Sequence, residues 1–348
     1  SYDLGNPKQP WIDNTESDVN SRNAWGSMSP YHRLLSWFGR ISYNYDERYM
    51  AEVTLRRDGS SNFGPSHKWA TFPSVSLGWN ITNEPFMKNR PLQISSLKLR
   101  GSWGLNGNES IGSFHYLSTV TSSGVGYILG PEGLNEIKPG AVTVAYPNHE
   151  LKWEQSEQFN IGLDAAFFGN SLTFTFDWFD KRTNGMLMTE PLPQYIGNSR
   201  PYGNVGNMKN SGVEMDICYR YSRNAFSFDI GANATYVKNR VVNLGNQNGW
   251  ANYDTVLGNI GTITRAENGE PFPFFYGMRT SGIFQTQEEV ASYVNDKGSM
   301  LQPDARPGDV RFVDTNSDGV INDEDRVKIG KGSPDWILGA NLSLGWKG

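Results

Sequence analysis

Cysteine is almost missing from these 348 residues: Cys218 stands alone, which rules out an intrachain disulfide framework and any multi-cysteine metal site. Its expected role is packing. Histidine is scarce too, with His32, His67, His115 and His149 scattered over segments without strand periodicity, and no Gly-x-Ser-x-Gly occurs. A hydrolase is left without its parts, and no enzyme is expected. Positive charge is in short supply, since 31 Lys and Arg face 36 Asp and Glu for a net charge of -5, and no basic run interleaves with aromatics. Nucleic-acid binding is not expected. Long hydrophobic runs are lacking as well: nothing approaches the roughly 18 apolar residues of a transmembrane helix, and Ser1-Tyr2-Asp3-Leu4 does not read as a signal peptide. That absence leaves a membrane barrel open, because barrel strands carry apolar side chains only at alternate positions. The mean hydropathy of -0.55 is uninformative for the same reason.

What the chain does have is aromatic residues, 13% of the total with 11 Trp, and 38 Gly, a combination that suits long amphipathic strands joined by irregular loops. The stretch Phe159 to Lys181 states the pattern. Phe159, Ile161, Leu163, Ala165 and Phe167 alternate with Asn160, Gly162, Asp164 and Ala166. After Phe168-Gly169-Asn170, Leu172, Phe174, Phe176 and Trp178 alternate with Thr173, Thr175 and Asp177. Period two predicts a hairpin of two strands. The same alternation predicts strands over 34–45, 49–58, 74–80, 97–103, 213–220, 226–236 and 335–346, about nine in all. Turns fall at 46–48, 81–96, 168–170 and 221–225, and longer loops at 59–68, 105–150, 183–210 and 239–334; residues 1 to 32 read as a loop.

All the short connections lie at one end. A soluble sandwich would alternate in the same way, but it has no reason to sort its loops, whereas an outer-membrane barrel has short periplasmic turns and long extracellular loops. Tyr43, Tyr45, Tyr49, Trp79, Phe167, Phe168, Tyr219, Tyr221, Phe226 and Trp346 gather near the short-turn end, as an interfacial girdle would. The predicted fold is all-β, a transmembrane antiparallel β-barrel of which this chain supplies about nine strands. Leu55, Leu77, Leu99, Leu163, Phe176, Ile217, Ile230 and Leu342 are expected to face lipid. Arg56, Arg100, Asp164, Asp177, Asp216 and Asp229 are expected to face the lumen.

Several segments are distinctive as motifs: Phe38-Gly39-Arg40 with Tyr43, Asn44 and Tyr45, and the run from Ala51 through Arg56-Arg57-Asp58-Gly59 to Gly64. Further along come Phe72 to Trp79, Leu97 to Gly104, Leu151-Lys152-Trp153-Glu154-Gln155 and the closing stretch from Gly308. Together they resemble one family, the SusC/RagA-like TonB-dependent transporters of Bacteroidetes-type outer membranes. The resemblance implies the middle-to-late part of a 22-stranded barrel in the outer membrane. It also implies import of glycan or peptide ligand under a SusD-like surface lipoprotein, with energy from the TonB complex reached through a region that precedes these residues. The competing reading is a secreted, calcium-stabilised β-rich adhesin or glycan-binding module. The lumenal charges are expected to contact a plug, and none is assigned to a ligand.

One motif carries local chemistry, on the 239–334 loop. Asp314-Thr315-Asn316-Ser317-Asp318-Gly319-Val320-Ile321-Asn322-Asp323-Glu324-Asp325 fits the twelve-residue calcium-loop template. Asp314, Asn316 and Asp318 supply side-chain oxygens, Gly319 the turn, Val320 a backbone carbonyl and Asp325 the last carboxylate. Aspartate is shorter there than the usual bidentate glutamate. A structural calcium ion is the expectation, and an Asx-turn cluster that binds nothing is the alternative. Two other patterns carry less. Thr286 to Glu289 reads as a capping box for a helix over 287–294. Gly330-Lys331-Gly332-Ser333 lacks the first glycine of a phosphate loop.

Overall fold

The computed structural model describes residues 32–88, 91, 93–118, 146–190, 199–256 and 262–346, with short strand pieces at 3–4, 15–16, 120–121, 126–129, 136–139 and 142–143. Eight strands follow one another: β1 (Leu34–Tyr45), β2 (Tyr49–Ser60), β3 (Trp69–Asn80), β4 (Ile94–Asn108), β5 (Glu154–Phe167), β6 (Leu172–Thr189), β7 (Tyr202–Arg223) and β8 (Phe226–Asn243). An insert then supplies β9 (Trp250–Val256), β10 (Thr262–Glu267), β11 (Phe274–Met278), β12 (Thr280–Ile283), the helix α1 (Gln287–Ser292), β13 (Val310–Phe312) and β14 (Arg326–Lys331). Finally β15 (Trp336–Trp346) returns to the wall. The wall is a nine-stranded antiparallel sheet in which β1 to β8 lie in chain order and β15 pairs with β8.

Register follows from the alternation. Tyr49 pairs with Trp79, Trp79 with Leu99, Leu99 with Leu163, Leu163 with Phe176, Phe176 with Met215, Met215 with Ala234 and Ala234 with Leu338. One apolar row thus crosses eight strands on one face. A slip of one residue in any strand would bring its polar set onto that face, so the pairing is strongly specified. The outward side chains are uncovered, with Leu338 73%, Leu344 68% and Trp346 77% exposed, which is what lipid-facing groups require.

The apolar belt has two edges. At the short-turn end Phe226 packs beside Trp346 with ring centroids 6.3 Å apart, and at the other end Tyr236 packs beside Trp336 at 4.9 Å. Phe226 and Tyr236 are ten residues apart on β8, about 33 Å along the strand. At the usual barrel tilt that is about the 25 Å height of an outer-membrane apolar band.

The short turns are built by left-handed backbone and by one carboxylate. Asp46 and Glu47 both have φ of 53°, and Arg48 N donates to the Tyr45 carbonyl, the mirror-image turn that suits the twist of a hairpin. Glu84, only 6% exposed, accepts from Tyr49 Oη and Trp79 Nε1, while Arg48 lies 3.7 Å away. One buried acid therefore ties the β1–β2 turn to the β3–β4 connection.

Beyond the belt the strands run on further than alternation predicts. Strand covers both ends of the loop expected over 183–210, because β6 continues to Thr189 and β7 starts at Tyr202. The pairing shifts register around Thr183, Met186 and Leu187. Those irregularities, together with charged side chains on the outward face, erase period two while the backbone ladder persists. Pro191 and Pro193 lie outside the described residues, as does most of the 1–32 loop. The 239–334 segment is no bare loop either: β9, β10, β11 and β14 form a four-stranded sheet, and β12 pairs with β13. The helix ends at Ser292 rather than Val294, with Thr286 accepting from Glu289 N as the capping pattern predicts.

Candidate functional site

Three features stand out on the wall and its insert. The first lies on the face opposite lipid. Arg100 on β4 donates to both oxygens of Asp164 on β5, at 2.7 and 3.0 Å, and at 3.0 Å to Asp177 on β6. Gly162 stands between them in the register, and a Cβ there would come within 2.4 Å of Asp177 Oδ1. The missing side chain is what lets one guanidinium reach two strands. Nearby, Arg40 lies 3.5 Å from Glu52, which also accepts from Ser42 at 2.9 Å. Together Ser42, Glu52, Ser76, Lys98, Arg100 and Asn160 line a recess of about 470 Å³. It offers hydrogen bonds to a polar occupant.

The second is a small core at the long-loop end. Phe63, Phe72, Leu151 and Trp153 are buried together, and Trp153 Nε1 donates to the Lys68 carbonyl at 3.0 Å. This core binds the 61–68 loop to the segment before β5. Beside it the His115 ring lies 4.4 Å from Tyr202, and burial pushes its imidazole below the usual histidine range.

The third is the twelve-residue loop. Gly319 N donates to Asp314 Oδ2 at 2.8 Å, and Gly319 adopts φ of 86°, a conformation that costs glycine little. Asn316 Oδ1 accepts from Asp318 N, and Asp318 Oδ1 from Val320 N. Asp325 is fully buried. One of its oxygens accepts from Thr315 N at 2.7 Å and the other from Asn322 N at 2.8 Å. Burial alone would raise its pKa, but the backbone donors of Asn322, Thr315 and Asn316 outweigh it and hold the carboxyl below the ordinary range. Asp325 thus closes the loop on itself. Asp314 Oδ1, by contrast, is buried and has no hydrogen-bond donor among the described residues. Among the described residues no three His, Cys, Asp or Glu side chains are gathered as a preformed cage. The side-chain contact within the proposed ligand set is the one from Asn316 Nδ2 to Asp318 Oδ2, at 3.1 Å.

Comparison with known proteins decides the family. A match to the family described as "TonB dependent receptor-like, beta-barrel" runs over residues 1–347. The chain belongs to the TonB-dependent receptors. It is similar to TonB-dependent receptor P3 of Formosa agariphila, with 34% identity covering 90% of this chain and 30% of that protein. TonB-dependent receptor SusC of Bacteroides thetaiotaomicron is 29% identical over 90% of the chain and 30% of its own length. Among solved structures, the RagAB peptide transporter superposes with a TM-score of 0.71 at 26% identity, over 91% of this chain and 32% of that one. The chain therefore spans about a third of the length of such relatives. It is a segment of a SusC/RagA-like TonB-dependent receptor barrel and a protein of the outer membrane.

The Arg100, Asp164 and Asp177 triad was legible only as three separate lumenal charges. The recess was not legible at all, since it depends on which strands neighbour one another.

Proposed function

We propose that this stretch forms part of the wall of an outer-membrane importer of glycan or peptide fragments, working with a SusD-like surface lipoprotein and energised by the TonB complex. One observation carries the reading. A likeness in sequence to SusC and a likeness in fold to the RagAB peptide transporter each extend over nine tenths of the chain or more. No catalytic role is proposed. The adhesin alternative is disfavoured by the outward face, where Leu338, Leu342 and Leu344 stand uncovered instead of packed against a second sheet. The test is uptake. A strain lacking the full-length receptor should lose import of labelled oligosaccharides or of labelled peptides, and loss of TonB should abolish the same uptake. Uptake of both classes at the parental rate in each strain would overturn the reading.

We further propose that the insert and loops 61–68 and 190–201 are extracellular and the short turns periplasmic, which the sorting of connection lengths supports. On that surface the loop from Asp314 to Asp325 would hold calcium as a brace. Asp314, Asn316, Asp318, the Val320 carbonyl and Asp325 are the proposed ligands, and the donor-free Asp314 Oδ1 is the oxygen best suited to a hard cation. Calcium supplies charge neutralisation and takes no part in chemistry.

A further inference from the structure

The outward face changes character abruptly past the Trp178, Tyr236 and Trp336 edge of the belt. On β6 the next outward positions are Asp180 and Arg182, on β7 they are Ser211 and Lys209, and on β8 they are Lys238 and Arg240. These positions lie two and four residues beyond the aromatic edge, about 7 and 13 Å along the strands, in the headgroup layer.

The register sets three of these cations in a row. Arg182 pairs with Lys209, and Lys209 pairs with Arg240. Like charges directly opposite one another on neighbouring strands are destabilising. Asp180 relieves two of them, accepting from Arg182 at 2.9 Å and lying 2.6 Å from Lys209. Arg240 Nε donates only to the Gly269 carbonyl among the described residues, and Lys238 is exposed with no ion pair there. The remaining carboxylate, Glu157, pairs in register with Arg182 but accepts from the Trp103 indole at 2.8 Å. Four cations thus face two acids on a surface continuous with the lipid-facing belt.

We propose that Arg182, Lys209, Lys238 and Arg240 bind the phosphorylated headgroup of an outer-leaflet glycolipid, whose acyl chains lie along Ile161, Trp178, Val213 and Tyr236 below. The anion supplies the charge that the row lacks, and guanidinium and ammonium groups are suited to phosphate oxygens. The outer-leaflet assignment rests on the sidedness proposed above.

The test uses the full-length receptor, delipidated in detergent and examined by native mass spectrometry, so that neither import nor sidedness enters the result. Bisphosphorylated lipid A, the same lipid stripped of phosphate, and inorganic phosphate are titrated separately. The phosphorylated lipid should bind at least about tenfold more tightly than the stripped lipid, given the attraction of anionic headgroups for each nearby cation. K238Q/R240Q should erase that preference, K238R/R240K should retain it, and the opposite-face variant K181Q should leave it intact. Equal binding of the two lipids, a preference that survives K238Q/R240Q, or inorganic phosphate binding as tightly as the lipid would each overturn the proposal. The comparison of lipids on the unaltered protein stands whether or not the double variant assembles.

Discussion

Trp79 donates its indole N–H to the Glu84 carboxylate at 2.9 Å, across the connection that leaves β3. Tyr49 bonds the same acid from β2, so Glu84 is the knot of the short-turn rim. The bond from Tyr49, then that from Trp79, holds its pKa below the ordinary glutamate range against the effect of burial. A depressed folded pKa stabilises the protein above the unfolded value of about 4.3, and the contribution is lost as pH falls through the folded value. E84Q should therefore lower the urea midpoint of the folded barrel at pH 7 and lose that difference once the parent's Glu84 is protonated. A pH-independent gap would show that the charge is irrelevant.

Facing can be tested at mid-belt. Ile230 lies between the two aromatic edges on β8, and I230R should cost about 2–4 kcal/mol and impair assembly, read by heat-modifiable gel mobility. On the opposite face D177N, which weakens only one arm of the Arg100 triad, should assemble normally. If the two variants assembled alike, the assignment of faces would be wrong.

Sidedness predicts where protease reaches. Lys297 and Arg306 are exposed on the insert, outside its strands. Trypsin added to intact cells should cut after Lys297, since Arg306 precedes Pro307 and resists it, and should spare the exposed Arg223 at the short β7–β8 turn. Cutting that waits for breach of the outer membrane would invert the topology.

The long-loop core should be strongly coupled to stability at that end. W153A removes a side chain that is 5% exposed and packed on Phe63 and Phe72, and such truncations cost about 3–5 kcal/mol. The loss should appear as faster hydrogen exchange over 61–68 with the belt strands unchanged.

Calcium should protect the insert. D314A/D318A should abolish calcium-dependent resistance of 287–325 to proteolysis while the barrel stays folded, and chelation of the parent should have the same effect. For Asp325 the folded pKa is depressed. Its contribution is present above the unfolded aspartate value of about 3.9 and is lost as pH falls through the folded one, so the insert should lose order in acid, read as rising hydrogen exchange over 314–325. Equal protection with and without calcium would leave an Asx-turn cluster.

Much of the wall was legible because lipid imposes a strict rule. The first strand, Leu34–Tyr45, begins and ends where the alternation predicts, and Tyr45↔Tyr49 closes the turn that Asp46-Glu47-Arg48 marks. Above the belt the rule lapses, so the extra length of β6 and β7 left no periodic signal. The insert sheet was hidden for another reason: its strands are short, and Phe274-Phe275-Tyr276 shows no alternation. Of the functional features, the calcium-loop spacing is local and could be read directly. The Arg100 contacts span 64 and 77 positions, and the cation row of Arg182, Lys209 and Arg240 exists only through register.

The chain-order pairing of β1 to β8 has a consequence for how the wall assembles. Each strand finds its neighbour through a nearby connection, so zippering can proceed hairpin by hairpin with little loop entropy to overcome at any step. The exceptions are β4 with β5, separated by residues 109–153, and β8 with β15, separated by residues 244–335. Because closure entropy grows only about 0.6 kcal/mol per doubling of loop length, these detours slow pairing less than their size suggests. The insert can therefore be lengthened or trimmed while β8 and β15 still meet, which lets that end of the molecule change on an unchanged wall.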